Sequence, residues 1–593
     1  MTAYEQILSQ LKSIIKDLTA CDIVPHLEYP ADPAHGDYAS NVAMAMFQKV
    51  SRVSQVSRAS REWKSPMEVA QEIAKRLEVS SQLEVIDRVE AVPPGFINFW
   101  LSKDYLISQL QEVLEEGEKF GTTINSELSG KKNMVEFADP NPFKEFHIGH
   151  LRNISLGESL SRLLEAQGAK VFRANYQGDV GMHVAKALYG IQSSEFRVQN
   201  EDLSLAEKMR ILGRAYALGS RAYEEDEGAK KEIQDLNIKI YKNDSEIREI
   251  WEIGRKWSLD AFEQIYKRLG TKYDYYYFES QTAPVGRQLV LDHLENGVFE
   301  RHDGAVVFRG EKFGLHTRVF VTKEDYATYE AKDLALAQLK YKDVAYDRSI
   351  IITAHEQAPY FSVILVALKL IESDLAAKTV HYSFGFVSLK TGKMSSRKGE
   401  VITAQWLLDE AKTRIKKQFK EISEETAEKV AVGAVKYSLL KFSPASDIVF
   451  SFDESISLEG NSGPYLQYAY ARTQSILAKV KSQKSKVKIR VQNLKVKQLE
   501  PEESALLRRI HLFPEVVGEA AEQFAPNLLC NYLFELAQAF NLFYQKHKII
   551  DPTAGSGREV QALRGFRLAL TASVGQILKN GLYLLGIESP ERM

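Results

Sequence analysis

Cysteine is almost missing from this sequence. Its 593 residues include two, Cys21 and Cys530, near opposite ends of the chain. That scarcity excludes a disulfide framework and a zinc site built from thiolates, and it fits a reducing compartment, the cytoplasm. Charge of one sign is not in excess either. Lys and Arg total 77 against 79 Asp and Glu, a formal net charge of -2. A wholesale polycation is therefore excluded, and any nucleic-acid partner must be met by local basic surface. No run of 18 apolar residues occurs, so no membrane-spanning helix and no membrane partner is expected. The opening stretch MTAYEQILSQLKSIIKDL carries acids and has Ile7, Leu8, Leu11, Ile14, Ile15 and Leu18 at helical spacing. It reads as a folded helix, not a secretory signal. No internal repeat is present. What remains, 44% apolar and 26% charged residues, is ordinary for globular protein, with length for about four domains.

Residues 1–105 read as an α+β unit. After the first helix and a turn-rich segment come a helix near Pro66–Leu77, a strand in LEVIDRVEAV and a second strand, Phe96–Trp100. A helix from about Ser102 to Gly117 could link it onward. Near 134 the pattern becomes strand (Met134–Phe137), Pro/Asn loop, helix with Leu156, Leu160, Leu163 and Leu164 on one face, and strand from Val171. That is a βαβ unit, hence part of a parallel sheet whose ligands bind at strand carboxyl ends beside helix N-termini. Residues 190–275 are charged and helical, an insertion. Strands resume at 305–308, 318–321 and 349–353, and helices dominate after 400. Between 479 and 497 lies a basic stretch with almost no acid.

Two segments carry phosphate chemistry. His147-Ile148-Gly149-His150 falls on the strand-to-helix turn. A helix start presents free N–H groups and a partial positive charge to an anion. The histidines, three apart, share a face and can donate to phosphate oxygens, while Gly149 leaves the backbone open to a base or phosphate. Lys393-Met394-Ser395-Ser396-Arg397-Lys398 lies between Gly392 and Gly399. Its cations could neutralise charge on a leaving pyrophosphate. Taken singly, the first could be two surface histidines at a helix cap, and the second reads more readily as a solvated basic loop.

Together, an HIGH-type turn and a K-M-S-S-type loop resemble the paired signature of the class I aminoacyl-tRNA synthetases. The surrounding residues resemble the arginyl-tRNA synthetase family along nearly the whole chain. The resemblance runs through His35–Ala43, Pro94–Phe99, Val135–Arg152, Gly178-Asp179-Val180-Gly181, the Tyr329-x-x-x-Asp333 helix, Ser457–Arg472 and the tail Leu578–Met593. It implies an α/β, Rossmann-like parallel-sheet catalytic domain (106–400). It also implies an α+β N-terminal tRNA-contacting domain (1–105), a helical linker region (401–460) and an all-α anticodon-binding domain (461–593). It implies an arginine–tRNA ligase, a monomer, with ATP, accompanying Mg2+, L-arginine and tRNA(Arg) as partners.

By the same resemblance, His147, Gly149, His150, Lys393, Met394, Ser395, Ser396 and Lys398 would bind ATP. His147, His150, Lys144, Lys393 and Ser395 would carry catalysis, with Lys144 replacing the second lysine that Ser396 displaces from the loop. Glu136, Asn141, His147, Tyr329, Asp333 and Gln357 would hold arginine. A guanidinium is planar, permanently charged and offers five donors, so physics independently asks for acids in the pocket. Glu145 stands where the family often has proline and would bring negative charge towards the ATP phosphates. Val180, Met182 and His183 replace its usual residues. Tyr465, Gln467, Tyr468, Arg472 and Tyr544 are candidates to stack on or pair with tRNA bases, and Tyr38 and Asn41 for the outer corner of the tRNA. The alternatives are another class I synthetase and a tRNA-binding paralogue without catalysis. Among the first, the cysteine enzyme needs a zinc that two distant cysteines cannot supply.

Overall fold

The computed structural model describes residues 2–593 apart from 20–21, 31, 53–62, 80–83, 123–126, 194–202, 391–401, 483–495, 497 and 551–556. The chain divides into two compact units. One comprises Met1–Gly117, Leu477–Leu512 and Ala539–Gln576, and the other Glu118–Ile476, Phe513–Gln538 and Ile577–Met593.

In the first unit, Thr2 caps α1 (Ala3–Leu18) and Glu5 returns a bond to the Thr2 backbone, so the helix start is satisfied from both sides. There follow β1 (Tyr38–Ser40), α2 (Val42–Arg52), α3 (Pro66–Val79), β2 (Ile86–Val92), β3 (Phe96–Leu101) and α4 (Lys103–Glu116). The strands form an antiparallel sheet in the order β1–β3–β2. Helix α2 falls where the sequence pattern suggested no helix. Helix α4 belongs to this unit, beyond the boundary expected at 105. Tyr38, a candidate tRNA contact, is fully buried, with its hydroxyl 3.3 Å from His511 Nε2. It is a core residue, packed against the rings of Tyr4, Tyr29 and His511.

The second unit is organised by β4 (Lys132–Glu136), α5 (Ile148–Ala166) and β5 (Lys170–Gln177). The insertion is α6 (Met182–Gln192), α7 (Leu205–Glu225), α8 (Glu227–Tyr241) and α9 (Ser245–Arg268). Then come β6 (Tyr275–Phe278) and α10 (Glu279–Asp292). The strands β7 (Glu300–His302), β8 (Ala305–Phe308) and β9 (Arg318–Val321) make their own antiparallel sheet. Two of the three strands expected after the insertion are therefore part of a separate sheet. The chain continues through α11 (Tyr329–Val344), β10 (Arg348–Ala354), α12 (Ala358–Ile371), α13 (Ser373–Lys378), β11 (Thr379–Phe384) and β12 (Val387–Leu389).

The main sheet has the order β11–β10–β4–β5–β6, every pair parallel. The chain runs outward from β4 through β5 to β6, then returns to add β10 on the other side of β4 and β11 beyond it. Ligands of such sheets bind at the carboxyl ends beside that switch point. Beyond it lie α14 (Ala404–Gln418), α15 (Glu424–Leu440), β13 (Ile448–Phe450) and α16 (Phe452–Ser455). Residues 401–460 are thus not wholly helical, since β13 pairs in parallel with β12. The remaining helices are α17 (Gly463–Ser482), α18 (Pro501–Glu522), α19 (Pro526–Lys546) and α20 (Arg558–Leu584), portions of which belong to each unit. No helix among the described residues is long and apolar enough to cross a membrane.

Helix α5 sits hard against the end of β4 because Gly157 faces Phe137. A Cβ at 157 would lie 2.2 Å from Phe137 Cγ. Gly157→Ala is expected to lower stability by about 1–3 kcal/mol through overpacking, read as a lower urea midpoint at unchanged slope.

Candidate active site

The carboxyl ends of β4, β5 and β10 open on a cleft of about 700 Å³. Glu136, Asn141, His147, Gly149, His150, Tyr329, Asp333 and Gln357 all line it. The sequence-derived arginine and ATP residues are therefore brought together, apart from the K-M-S-S segment. Lys393, Met394, Ser395, Ser396 and Lys398 lie outside the described residues.

The histidines cap α5 reciprocally. His147 Nδ1 accepts the Gly149 N–H at 3.1 Å, and His150 Nδ1 accepts the His147 N–H at 3.1 Å. The helix start is thus not wholly free for an anion. Since a backbone N–H can only donate, both Nδ1 atoms must be acceptors, and in the neutral rings the proton is placed on Nε2. Each imidazole then has one donor left. Burial, then Lys144, lowers the His147 pKa, and burial, then His147 and Lys144, holds His150 well below the usual imidazole value. Both shifts favour the neutral rings.

Lys144 stands beside the cleft, its ammonium 4.9 Å from the centre of the Tyr216 ring on α7. Glu145 lies against the same helix. Its carboxyl carbon is 3.3 Å from where a Cβ on Gly213 would be, and it is not among the cleft residues. The expected clash of charge with phosphate is replaced by a contact with the insertion.

Other supports come from α5. Arg152 is fully buried and donates to four carbonyls, those of Gly385, Phe386, Pro444 and Ser446. The backbone of Ala404 donates to Phe146 O at 2.6 Å. Chain on both sides of residues 391–401 is therefore fastened to the HIGH turn and its helix. At the β5–α6 corner, Asp179 is fully buried. It accepts from Arg255 Nε at 2.9 Å and from the Ser280 amide and hydroxyl at 2.8 Å. His183 holds Gly178 O at 2.7 Å, and burial drives its pKa down to about 3. A Cβ on Gly178 would lie 2.3 Å from Asn141 Oδ1, so only glycine lets Asn141 reach this corner.

The acidic side of the cleft is larger than the sequence suggested. Glu136 is buried, and its Oε2 accepts from Lys340 Nζ at 2.5 Å. Glu279, at the start of α10, pairs with buried Lys332. The Lys332 ammonium also lies 4.3 Å from the centre of the Tyr329 ring. Glu330 binds Arg318 at 3.0 Å. Asp333 accepts from the Tyr360 hydroxyl at 2.7 Å. Sequence reasoning missed Asp139, Glu279, Arg318 and Tyr360. Glu279 follows β6 directly, as Glu136 ends β4, but only the sheet order places the two together.

For tRNA, Tyr465 packs on Phe534 with centroids 5.5 Å apart, and the Arg472 guanidinium lies 4.8 Å from the centre of the Tyr468 ring. Tyr544, in the first unit, is 42% exposed. Gln467 is corrected. It is fully buried, and its amide donates to Lys429 O and Glu588 O, which makes it a tie between α17, α15 and the C-terminal segment.

A parallel sheet with a histidine-capped turn at this corner agrees with the class I aminoacyl-tRNA synthetase resemblance. A family model described as "tRNA synthetases class I (R), catalytic domain" matches residues 109–452. The arginyl-tRNA synthetase N-terminal domain matches 5–101, and the DALR anticodon-binding domain matches 466–593. Arginine–tRNA ligase of Treponema denticola is 32% identical, over 100% of this chain and 99% of the relative. That of Flavobacterium psychrophilum is 31% identical, over 86% and 88%. The solved arginyl-tRNA synthetase of Thermus thermophilus superposes with a TM-score of 0.76 at 26% identity, over 100% and 99%. The chain belongs to the arginyl-tRNA synthetase family.

Burial pushes the Asp333 carboxyl up to about 7, helped by Glu136 and Glu279 against the Tyr360 hydrogen bond. A guanidinium stays charged throughout and needs the ionised form. Lowering the pH through 7 protonates Asp333, and with Asp333 as the guanidinium partner that the resemblance implies, arginine affinity is expected to fall. We expect kcat/KM for arginine to drop by up to about tenfold per pH unit below 7. Asp333→Asn should flatten that limb while binding arginine more weakly throughout.

Proposed function

We propose that this cleft joins L-arginine to ATP and then to tRNA(Arg). A carboxylate oxygen of arginine attacks the α-phosphorus of ATP, the bond to the bridging β-phosphate oxygen breaks, and pyrophosphate leaves. The 2′-hydroxyl of the tRNA's terminal adenosine then attacks the arginyl carbonyl carbon. The bond to AMP breaks and the hydroxyl proton departs. Both steps depend mainly on positioning and charge stabilisation. What supports this reading is one juxtaposition: two neutral Nε2–H donors at a helix cap share a cleft with Asp333 and Glu279.

In this reading His147, Gly149 and His150 take the phosphates. Lys144, Lys393 and Ser395 serve the leaving pyrophosphate, with Met394, Ser396 and Lys398 beside ATP. Asp333, Glu279 and Glu136 face the guanidinium side, with Tyr329 packing on it. Asn141 and Gln357 contact the rest of the amino acid. Among the described residues no cluster of three or more His, Cys, Asp or Glu is arranged to hold a metal. Magnesium is accordingly proposed as the companion of ATP, carried chiefly by phosphate oxygens and water. Tyr465, the Tyr468–Arg472 pair and Tyr544 are proposed tRNA contacts, and the protein is proposed to act as a cytoplasmic monomer.

Total tRNA and each of the twenty amino acids in turn should yield charging with arginine alone. His150→Ala is expected to reduce adenylate formation by roughly a hundredfold or more while tRNA affinity in a filter-binding assay stays unchanged. Pyrophosphate exchange with arginine and ATP should need tRNA, and robust exchange without it would count against that requirement.

A further inference from the structure

We propose that Lys332 is a specificity residue: its own ammonium fills a cation cage bordering the cleft and so excludes ammonium-bearing amino acids, lysine above all. This deepens the reading of the cleft as an arginine site and rests on it.

The cage has one carboxylate and two rings. Lys332 and Glu279 are both buried, and the ammonium donates to Glu279 Oε2. It also donates to the Tyr241 hydroxyl at 3.2 Å. The ring centres of Tyr329 and Tyr241 lie 4.3 and 5.7 Å from it. A carboxylate with aromatic faces suits a compact cation from which water has been stripped. Two of the three walls, Glu279 and Tyr329, also line the cleft.

The surrounding packing fixes the cage. Tyr329, Lys332 and Asp333 are spaced i, i+3 and i+4 on α11, so one face carries all three. Helix α10 lies close against α11: a Cβ on Gly286 would be 2.2 Å from Ala331 O. The Ser280 bonds to Asp179 hold the start of α10, where Glu279 stands. Tyr241 ends α8 and stacks on Tyr326, with ring centres 4.7 Å apart. Glu279 is therefore held with Oε2 on the ammonium, while Oε1 faces the Gly178 corner, 3.0 Å from where a Cβ there would be.

Lysine and arginine carry equal charge at equal reach, since lysine Nζ is as many bonds from Cα as arginine Cζ. They differ in what they need. An ammonium is compact and strongly hydrated, and it gives up its water only for a cage of close acceptors. Beside Glu279 that place is taken, and by a like charge. A guanidinium spreads its charge over a weakly hydrated plane and directs five donors outwards. It can address Glu279 Oε1 and Asp333 without entering the cage, and its delocalised charge tolerates the neighbouring ammonium. Asp333 cannot supply a second cage alone, because its Oδ2 already accepts from Tyr360.

The test is inhibition of arginine charging by lysine, measured on the full-length enzyme with tRNA and ATP. Lys332→Met removes the ammonium at similar length. Lys332→Gln, which keeps a donor for Glu279, takes its place should the first fail to fold by circular dichroism. The neutral variant is expected to lower the ratio of lysine inhibition constant to arginine KM by roughly tenfold or more, with lysine binding tighter. Lys332→Arg returns a cation to the cage and should keep the ratio of the unmodified enzyme. Adding Glu279→Gln to the neutral variant should abolish the gain, because a cage without its carboxylate cannot hold an ammonium. A merely structural Lys332 would weaken lysine and arginine together. An unchanged ratio in the neutral variant overturns the proposal, as does an equal gain for lysine in Lys332→Arg or a gain that survives Glu279→Gln. Failure of the unmodified enzyme to charge tRNA with arginine would remove the underlying reading instead, and that outcome is separable from these.

Discussion

A cation that cannot lose its proton must be met inside a protein by carboxylates or carbonyls held in place for it. That constraint organises the cleft. Three of its acids are locked to Lys340, Lys332 and Arg318. Such pairs contribute little net stability once desolvation is counted, but breaking one would strand a buried charge. Their effect here is to fix geometry. Lys332 sits between Glu279 and the Tyr329 ring, and Arg318 lies 5.2 Å from the centre of the Tyr360 ring whose hydroxyl serves Asp333. The paired acids build the walls that position the unpaired ones.

The opposite wall faces anions and follows the same economy of groups. Two imidazoles close the start of α5, and their hydrogen bonds to backbone N–H dictate where the remaining protons are. Neutral donors suit a site that must hold phosphate before and after its charge is redistributed, since they stabilise it without trapping it as an ion pair would. Arg152, two residues further along the same helix, makes no salt bridge among the described residues. It gathers carbonyls from the chain before residues 391–401 and from the 444–446 loop. One helix therefore carries the phosphate turn and fastens the neighbouring segments to it.

Much of this was legible in the sequence for a local reason. A strand, a Pro/Asn loop, a histidine turn and an amphipathic helix are contiguous, so periodicity and motif spacing place Glu136, Asn141, His147 and His150 without knowledge of the fold. Tyr329 and Asp333 were legible as one helical face. What escaped was set by topology. Glu279 meets the site only because β6 is an edge strand of the same sheet, and nothing local couples it to Lys332. Asp139 was hidden because a left-handed backbone turn aims it, and an Asp-Pro pair reads simply as loop. Gln467 and Tyr38 failed in the other direction. Polar and aromatic residues in a helix or strand look alike whether they face tRNA or core, and only packing tells them apart. Residues 305–308 and 318–321 had the texture of main-sheet strands, yet short apolar strands do not encode which sheet they join.

Placing unpaired acids beside a triphosphate site carries an electrostatic cost that the substrates themselves can relieve. Under the proposed roles, the arginine guanidinium meets Asp333 and cancels the field that this carboxylate would otherwise project towards ATP. ATP in turn draws the α-ammonium end towards the HIGH turn. Such coupling is reciprocal by thermodynamic necessity: whatever factor arginine adds to ATP affinity, ATP adds to arginine affinity. A neutral analogue of arginine, lacking the guanidinium charge, gains neither the ion pair nor this mutual assistance. Discrimination in such a cleft therefore exceeds what its contacts with the side chain alone supply, because the wrong amino acid leaves the acids uncompensated at the moment the triphosphate must bind.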